Sequence, residues 1–302
     1  GIKGLVSVNI DSGTFVIDTA DDAIHSNGSL VVNGGSFVIA SGDDGMHSDA
    51  TLEINGGEIQ ITQSYEGIES AVITINAGAI HVLSSDDGLN VAGGVDGSGA
   101  PGGMPTRGGG PGQDMFSYSG SYFLYINGGY ISVEARGDGL DINGAIEMTD
   151  GVLLVNGPVE NMNGALDYDG TFNISGGFFV AVGSAGMAMA PSQSSSQASI
   201  LVNFTSAQRA GTLISIQDSA GNAILTFAPT KEYQSIAFSS PDLVNGATYN
   251  IYLGGDANGT VVDSLLQDGT YSGGSQYTSL TLSGMVTSVG GGGMGGGGRP
   301  RP

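Results

Sequence analysis

A ten-residue unit returns along the first half of this chain at a spacing that leaves room for little besides a solenoid coil. It reads Leu30-Val31-Val32-Asn33-Gly34-Gly35-Ser36-Phe37-Val38-Ile39, then Leu52-Glu53-Ile54-Asn55-Gly56-Gly57-Glu58-Ile59-Gln60-Ile61. Further copies run over 73–82 and 124–133, and weaker ones over 8–17, 146–155 and 172–182. The second glycine of successive copies stands at 13, 35, 57 and 78, a period of 21 or 22 residues. A βαβ unit needs roughly 30 residues, and nothing before residue 198 has helical periodicity. The period therefore predicts an all-β, right-handed parallel β-helix of about seven coils over residues 1–190.

Within each copy apolar and polar residues alternate, so one side of each short strand faces inward. Leu30, Val32, Phe37, Ile39 and their equivalents are the predicted filling of the bore. Asn-Gly-Gly supplies the positive φ that a sharp corner requires. Asn33, Asn55, Asn76 and Asn127 are expected to stack as a ladder of amides, a structural role.

A second motif follows each corner: Asp21-Asp22-Ala23-Ile24-His25, Asp43-Asp44-Gly45-Met46-His47, Tyr65-Glu66-Gly67-Ile68-Glu69 and Asp86-Asp87-Gly88-Leu89-Asn90. Later copies place Asp138 and Asp141, and then Asp167, at equivalent points. Equivalent residues of stacked coils lie about 4.8 Å apart. Asp22, Asp44, Glu66, Asp87 and Asp138 would then form one carboxylate file. Neighbouring charges at that spacing repel by roughly 0.8 kcal/mol in water and about 3 kcal/mol at an effective dielectric of 20. Asp and Gly are common in solvated turns, yet turns under no other demand would mix Lys or Ser into the same positions. The pattern points to several calcium ions, which take carboxylate, carbonyl and water oxygens in flexible geometry. The candidate ligands are Asp21, Asp22, Asp43, Asp44, Glu66, Glu69, Asp86, Asp87, Asn90, Asp138, Asp141 and Asp167. Three residues on, a second column runs His25, His47, Glu69, Asn90, Asp141 and Asp167; its histidines are possible transition-metal ligands but read more readily as hydrogen-bonding spacers.

Composition narrows the partners. Seven basic residues face 29 acidic ones, a formal charge of -22, which repels nucleic acid and anionic membranes and attracts cations. There is no cysteine, so neither disulfides nor thiolate metal sites contribute. No run of eighteen apolar residues occurs, so membrane insertion is not expected, and an extracellular chain would be in its processed form.

These motifs resemble a family of secreted bacterial, notably clostridial, β-helix proteins that bind carbohydrate and carry calcium, related in fold to polysaccharide lyases. The likeness rests on the iterated Ile-Asn-Gly-Gly and Asp-Asp-Gly units, on Ser64-Tyr65-Glu66-Gly67-Ile68-Glu69, and on a Gly/Pro-rich insertion at 93–121. The stretch from Leu213 through Gly274 is similar too. The resemblance implies binding to plant cell-wall polymers such as cellulose or acidic pectin, with no catalysis, and a calcium role for the aspartates. Gly1-Ile2-Lys3 aligns with Ala23-Ile24-His25, so the first coil is entered halfway round, without the family's usual cap.

Three functions are open on the residues. A pectate-lyase-like enzyme needs a basic group beside a calcium-bound uronate; only Lys3 and Arg136 lie in the coils, with Arg107 in the insertion, and Arg136 is expected to pair with the acidic file. A sugar-binding face needs exposed aromatics, and Tyr65, Phe116, Tyr118, Tyr122, Tyr125 and Tyr130 gather near the insertion in sequence. Identical subunits stacking through an uncapped coil would make a filament or matrix fibre. Beyond a polar linker or loop at 191–196, residues 191–289 read as a small antiparallel β domain that could cap the far end or dock a neighbour. The Gly-rich tail 290–302 reads as flexible.

Overall fold

The computed structural model describes residues 1–92 and 121–290. Segment 93–120 of the insertion and tail residues 291–302 lie outside the described residues, and with them Tyr118, Phe116 and Arg107. The described chain is built of strands and turns, and no helix in it is long and apolar enough to cross a membrane.

The period becomes a parallel β-solenoid. A coil holds three short strands, as in Ile24–Ser26, Ser29–Val32 and Ser36–Ser41. The first strands stack so that Ile2, Ile24, Met46, Ile68, Leu89 and Leu140 are successive partners. The last strands, Thr14–Thr19, Ser36–Ser41, Glu58–Gln63, Ala79–Ser84, Tyr130–Ala135, Val152–Asn156 and Phe178–Gly183, stack in parallel through seven coils. The first strand falls inside the acidic motif, which alone reads as a turn. Three residues are too few to show an alternation, so pairing with the neighbouring coils makes the strand there.

The corners behave as expected. Gly13, Gly35, Gly57, Gly78 and Gly129 have φ between +87° and +131°, open to glycine and costly to other residues. The amide ladder forms: Asn55 Nδ2 donates to Asn33 Oδ1 at 2.9 Å, Asn76 to Asn55 at 2.7 Å and Asn127 to Asn76 at 2.9 Å. It runs further than the asparagines, to Asp11 at one end and Thr149 at the other. Leu30, Val32, Phe37 and Ile39 are buried in the bore with their counterparts from every coil.

Residues 192–197 are more than a linker. Phe172 N donates to Ser192 Oγ at 2.9 Å, Ile174 N to Ser195 Oγ at 3.1 Å, and Ser196 and Gln197 return their N–H groups to Ile174 O. This segment takes the place of an eighth coil and covers the edge of Phe172–Ile174, an edge that would otherwise template another chain. The serines that make it polar are its hydrogen-bonding groups.

The C-terminal residues continue the solenoid. Strand Tyr233–Ser239 pairs antiparallel with Phe178–Gly183, followed by Ser199–Gln208 and Val286–Val289, all in one ten-stranded sheet. A six-stranded antiparallel sheet, including Ile214–Gln217, Ala223–Phe227 and Thr248–Leu253, packs on its outer face. Leu154, Val180 and Val182, outward-facing in the last coils, share one core with Ile214, Phe227 and Ile251. That explains the weaker late repeats: strands buried on both faces lose their polar alternation.

Candidate metal centre

The backbone sets the carboxylate file before any side chain does. Ala23 N bonds Asp44 O at 3.0 Å, Gly45 N bonds Glu66 O at 3.0 Å, Gly67 N bonds Asp87 O at 3.0 Å and Gly88 N bonds Asp138 O at 2.9 Å. Each acid thus stands directly over the next. Glycine follows most of them because the coils meet closely: a Cβ on Gly67 would lie 2.3 Å from both Gly88 O and Val82 Cγ1. Several carboxylates also accept the backbone of the next coil, Asp22 Oδ1 from Asp44 N at 3.1 Å, Asp87 Oδ1 from Asp138 N at 2.6 Å and Asp138 Oδ1 from Gly164 N at 2.5 Å. One oxygen is held by the backbone and the other is left to turn along the column.

The second predicted column is also in register, running Lys3, His25, His47, Glu69, Asn90, Asp141, Asp167. It divides the site in two. In the N-terminal half the imidazoles of His25 and His47 stack at 4.9 Å. His25 Nδ1 lies 2.5 Å from Asp22 Oδ2; His47 Nδ1 lies 3.0 Å from Asp44 Oδ2 and 3.1 Å from Glu69 Oε2, while its Nε2 faces Asp49 Oδ1 at 3.3 Å. Burial favours a neutral imidazole, but its hydrogen bonds to Asp44 and Glu69 outweigh it and push His47 up to about 11, while burial raises Asp44 well above the usual carboxylate range. His47 is an imidazolium at neutral pH, a built-in counter-charge for the acids around it. The spacer reading is thereby sharpened into an ionic one, and Asp49, which sequence reasoning passed over, belongs to the set.

The C-terminal half has no such cation among the described residues. Glu66, Asp86 and Asp87 offer oxygens within 4.8 Å of one another, and so do Asp87, Asp138 and Asp141. Burial first, then the neighbouring acids, push Asp87 up to about 6, Asp138 to about 7 and Asp141 to about 8. Glu66 is driven to about 10 by burial and by the charges of Glu69 and Asp44. Burial raises Asp167 as well, and Asp169, a second omission, adds its charge against Asp141.

This half suits a hard divalent ion. Oxygens about 2.3–2.6 Å from one calcium ion lie at most about 5 Å apart, which the two groups satisfy. Asn90 is 7 % exposed and donates to Glu66 Oε2 at 2.6 Å, yet its buried Oδ1 has no hydrogen-bond partner among the described residues. A side chain at Gly137 would collide with the carboxylates of Asp87 and Asp86, at 2.3 and 2.5 Å from its Cβ.

Residues 1–45 match a family model described as "Carbohydrate-binding domain-containing protein". The match takes in 45 of 302 residues, with Asp21, Asp22, Asp43 and Asp44 inside it. No curated protein and no solved structure matches the chain.

The tyrosines do not gather into one row. Tyr65, 43 % exposed, sits within the outer acidic column, its N–H bonded to Asp43 O and its carbonyl to Asp86 N. Tyr122 packs against the bore, and Tyr125, on the middle strand Phe123–Ile126, lies over Phe123 with ring centroids 5.5 Å apart. Tyr130 is on the last strand, packed on the C-terminal core, with its hydroxyl buried. Neighbours in sequence here occupy different faces of the coil. Arg136 is exposed and makes no ion pair with the file among the described residues. Its charge instead adds to that around Lys231, which sequence reasoning did not place near it.

Proposed function

We propose that this chain is an extracellular, non-enzymatic carbohydrate-binding β-solenoid that takes calcium in the C-terminal half of its acidic column and uses the ions to hold acidic polysaccharide. The observation that carries the reading is the oxygen-only slot of Asp87, Asp138 and Asp141 beside the unpartnered Asn90 Oδ1. Calcium there would supply the positive charge that the column lacks and an open coordination position for a sugar carboxylate. Glu66 and Asp86 would hold a second ion through Asp87. Asp22, Asp44 and Glu69 already have imidazoles as partners, so in this reading their role is structural.

The carbohydrate part of the proposal draws on the description of the family matched by residues 1–45 and on Tyr65. Its backbone is bonded between Asp43 and Asp86 and its side chain is 43 % exposed, so a pyranose could stack on its ring while the sugar carboxylate meets an ion at Asp86 and Asp87. A lyase would need a free base at the same place. Lys231 is committed to the carbonyl of Ala135, and this favours a binder.

Affinity electrophoresis through polygalacturonate or a soluble cellulose derivative, with calcium or with EDTA, tests the reading. Retardation by polygalacturonate with calcium, abolished by EDTA, is the expected result. Mobility that ignores both polymers in calcium would overturn the carbohydrate role, and the absence of a calorimetric calcium signal would overturn the metal role.

A further inference from the structure

The chain carries a net charge of -22, yet one face of it is built without charge. In the six-stranded sheet, Ile214–Gln217, Ala223–Phe227, Thr248–Leu253 and Ser275–Thr281 hold no acidic or basic residue. Ile214, Leu225 and Ile251 turn into the shared core, so the alternate positions of these strands face away from it. Two rows of direct cross-strand partners result, Ser215-Tyr252-Gln276 and Gln217-Asn250-Ser279. Asp218, the residue after Gln217, is turned onto the backbone of Ala220 and Asn222.

The groups on this face are held in place. Asn250 Oδ1 accepts from Gln276 Nε2 at 3.1 Å and from Ser279 Oγ at 2.7 Å. Two donors on the oxygen fix which way the amide is turned, and its Nδ2 hydrogens have no partner among the described residues. Tyr271 comes from the arm that joins Thr248–Leu253 to Ser275–Thr281, its ring 6.5 Å from that of Tyr252 and tilted 57° to it. Its hydroxyl donates to Gly254 O at 2.8 Å, and a side chain at Gly274 would strike that hydroxyl. The ring is thus positioned before any ligand arrives, which lowers the entropy lost on binding.

We propose that this face is a second sugar site, which takes an uncharged polysaccharide without calcium. Tyr252 and Tyr271 supply the surfaces on which pyranose rings stack, and the amides of Asn250, Gln217 and Gln276 meet the sugar hydroxyls. The same chemistry disfavours other occupants. An acidic polymer would find no cation here, and nucleic acid no basic group. A protein partner needs an apolar centre, whereas Val261 and Val262, the exposed apolar residues of this sheet, stand on its opposite edge strand. The site extends the carbohydrate reading to a separate surface and uses none of the residues of the acidic column.

Affinity electrophoresis of the full chain in EDTA, through hydroxyethylcellulose and through galactomannan, tests it with two uncharged polymers. Retardation by at least one is expected, weakened at least about tenfold in Tyr252→Ala and unchanged in Tyr252→Phe and Asp138→Asn. Asn250→Asp keeps the oxygen that Gln276 and Ser279 bind but loses the N–H donors. It should bind more weakly at an unchanged melting temperature, which separates lost recognition from lost folding. A wild-type chain that ignores both polymers would overturn the proposal, as would retardation that needs calcium or that survives undiminished in both Tyr252→Ala and Asn250→Asp. If only polygalacturonate with calcium retards the chain, the acidic-column reading stands and this one falls. If only an uncharged polymer does so, in EDTA, the reverse holds.

Discussion

The backbone N–H of Asp138 donates to the carboxylate of Asp87 at 2.6 Å, although 51 residues separate them in sequence. The coil interrupted at residue 92 is thus resumed in register, and the acidic file crosses the insertion without a break. In the proposed reading these two acids share one ion, while Asp22 and Asp44, nearer the N-terminus, face His25 and His47.

Replacing Asp138 by Asn keeps the shape and removes one charge. Calcium affinity, measured by titration calorimetry, should fall at least about tenfold. The calcium-free variant should melt about 2 °C higher than wild type, because roughly 1 kcal/mol of repulsion is relieved. Unchanged affinity would move the site elsewhere.

Acid should stabilise the metal-free chain. Asp87, Asp138 and Asp141 titrate near 6, 7 and 8 when folded against 3.8 when unfolded, so the native state binds the extra protons between those limits. His47, raised from 6.5 to about 11, contributes stability that is whole below 6.5 and lost as pH climbs through 11. Both effects have one sign. In EDTA the melting temperature should fall steadily from pH 5 to 9, and calcium, which binds the deprotonated acids, should flatten the slope. A melting temperature that rises with pH in EDTA would contradict the ionic structure of the column.

His47→Gln leaves Asp44 and Glu69 without their imidazolium. Removing one partner from a buried ion pair costs about 3–5 kcal/mol, and urea unfolding should show a loss of that order. Calcium binding at Asp87 and Asp138 should survive in the folded fraction, since His47 contacts neither.

Gly67→Ala places a methyl group 2.3 Å from Gly88 O and Val82 Cγ1. The coils must part there, at about 1–3 kcal/mol, and the melting temperature should drop with or without calcium. Gly284→Ala is the control, its nearest neighbour being Gln193 Oε1 at 3.6 Å.

Much of this architecture was legible because a solenoid turns period into proximity. Asn33, Asn55, Asn76 and Asn127 recur at one point of the unit, and the amide ladder follows from that alone. The same logic placed Asp22, Asp44, Glu66, Asp87 and Asp138 in one file. It failed where residues were close in sequence but lay on different faces: Tyr65, Tyr125 and Tyr130 read as a cluster and belong to a turn, a middle strand and a last strand. Ser192, Ser195 and Ser196 read as linker or loop, and the loop they form carries hydrogen bonds that the reading did not foresee. Polar residues that complete hydrogen bonds at a strand edge look the same in sequence as polar residues in solvent.

The repeat by itself determined the coil, the corner glycines and the register of both columns, since a residue one period away must be its neighbour's neighbour in a stacked sheet. Only the tertiary structure decided which acids meet an imidazole and which meet other acids, because that depends on where each side chain turns within the column. It alone brought Lys231 to the carbonyl of Ala135 and Thr230 to Asn156, contacts between segments far apart in the chain that no period foretells.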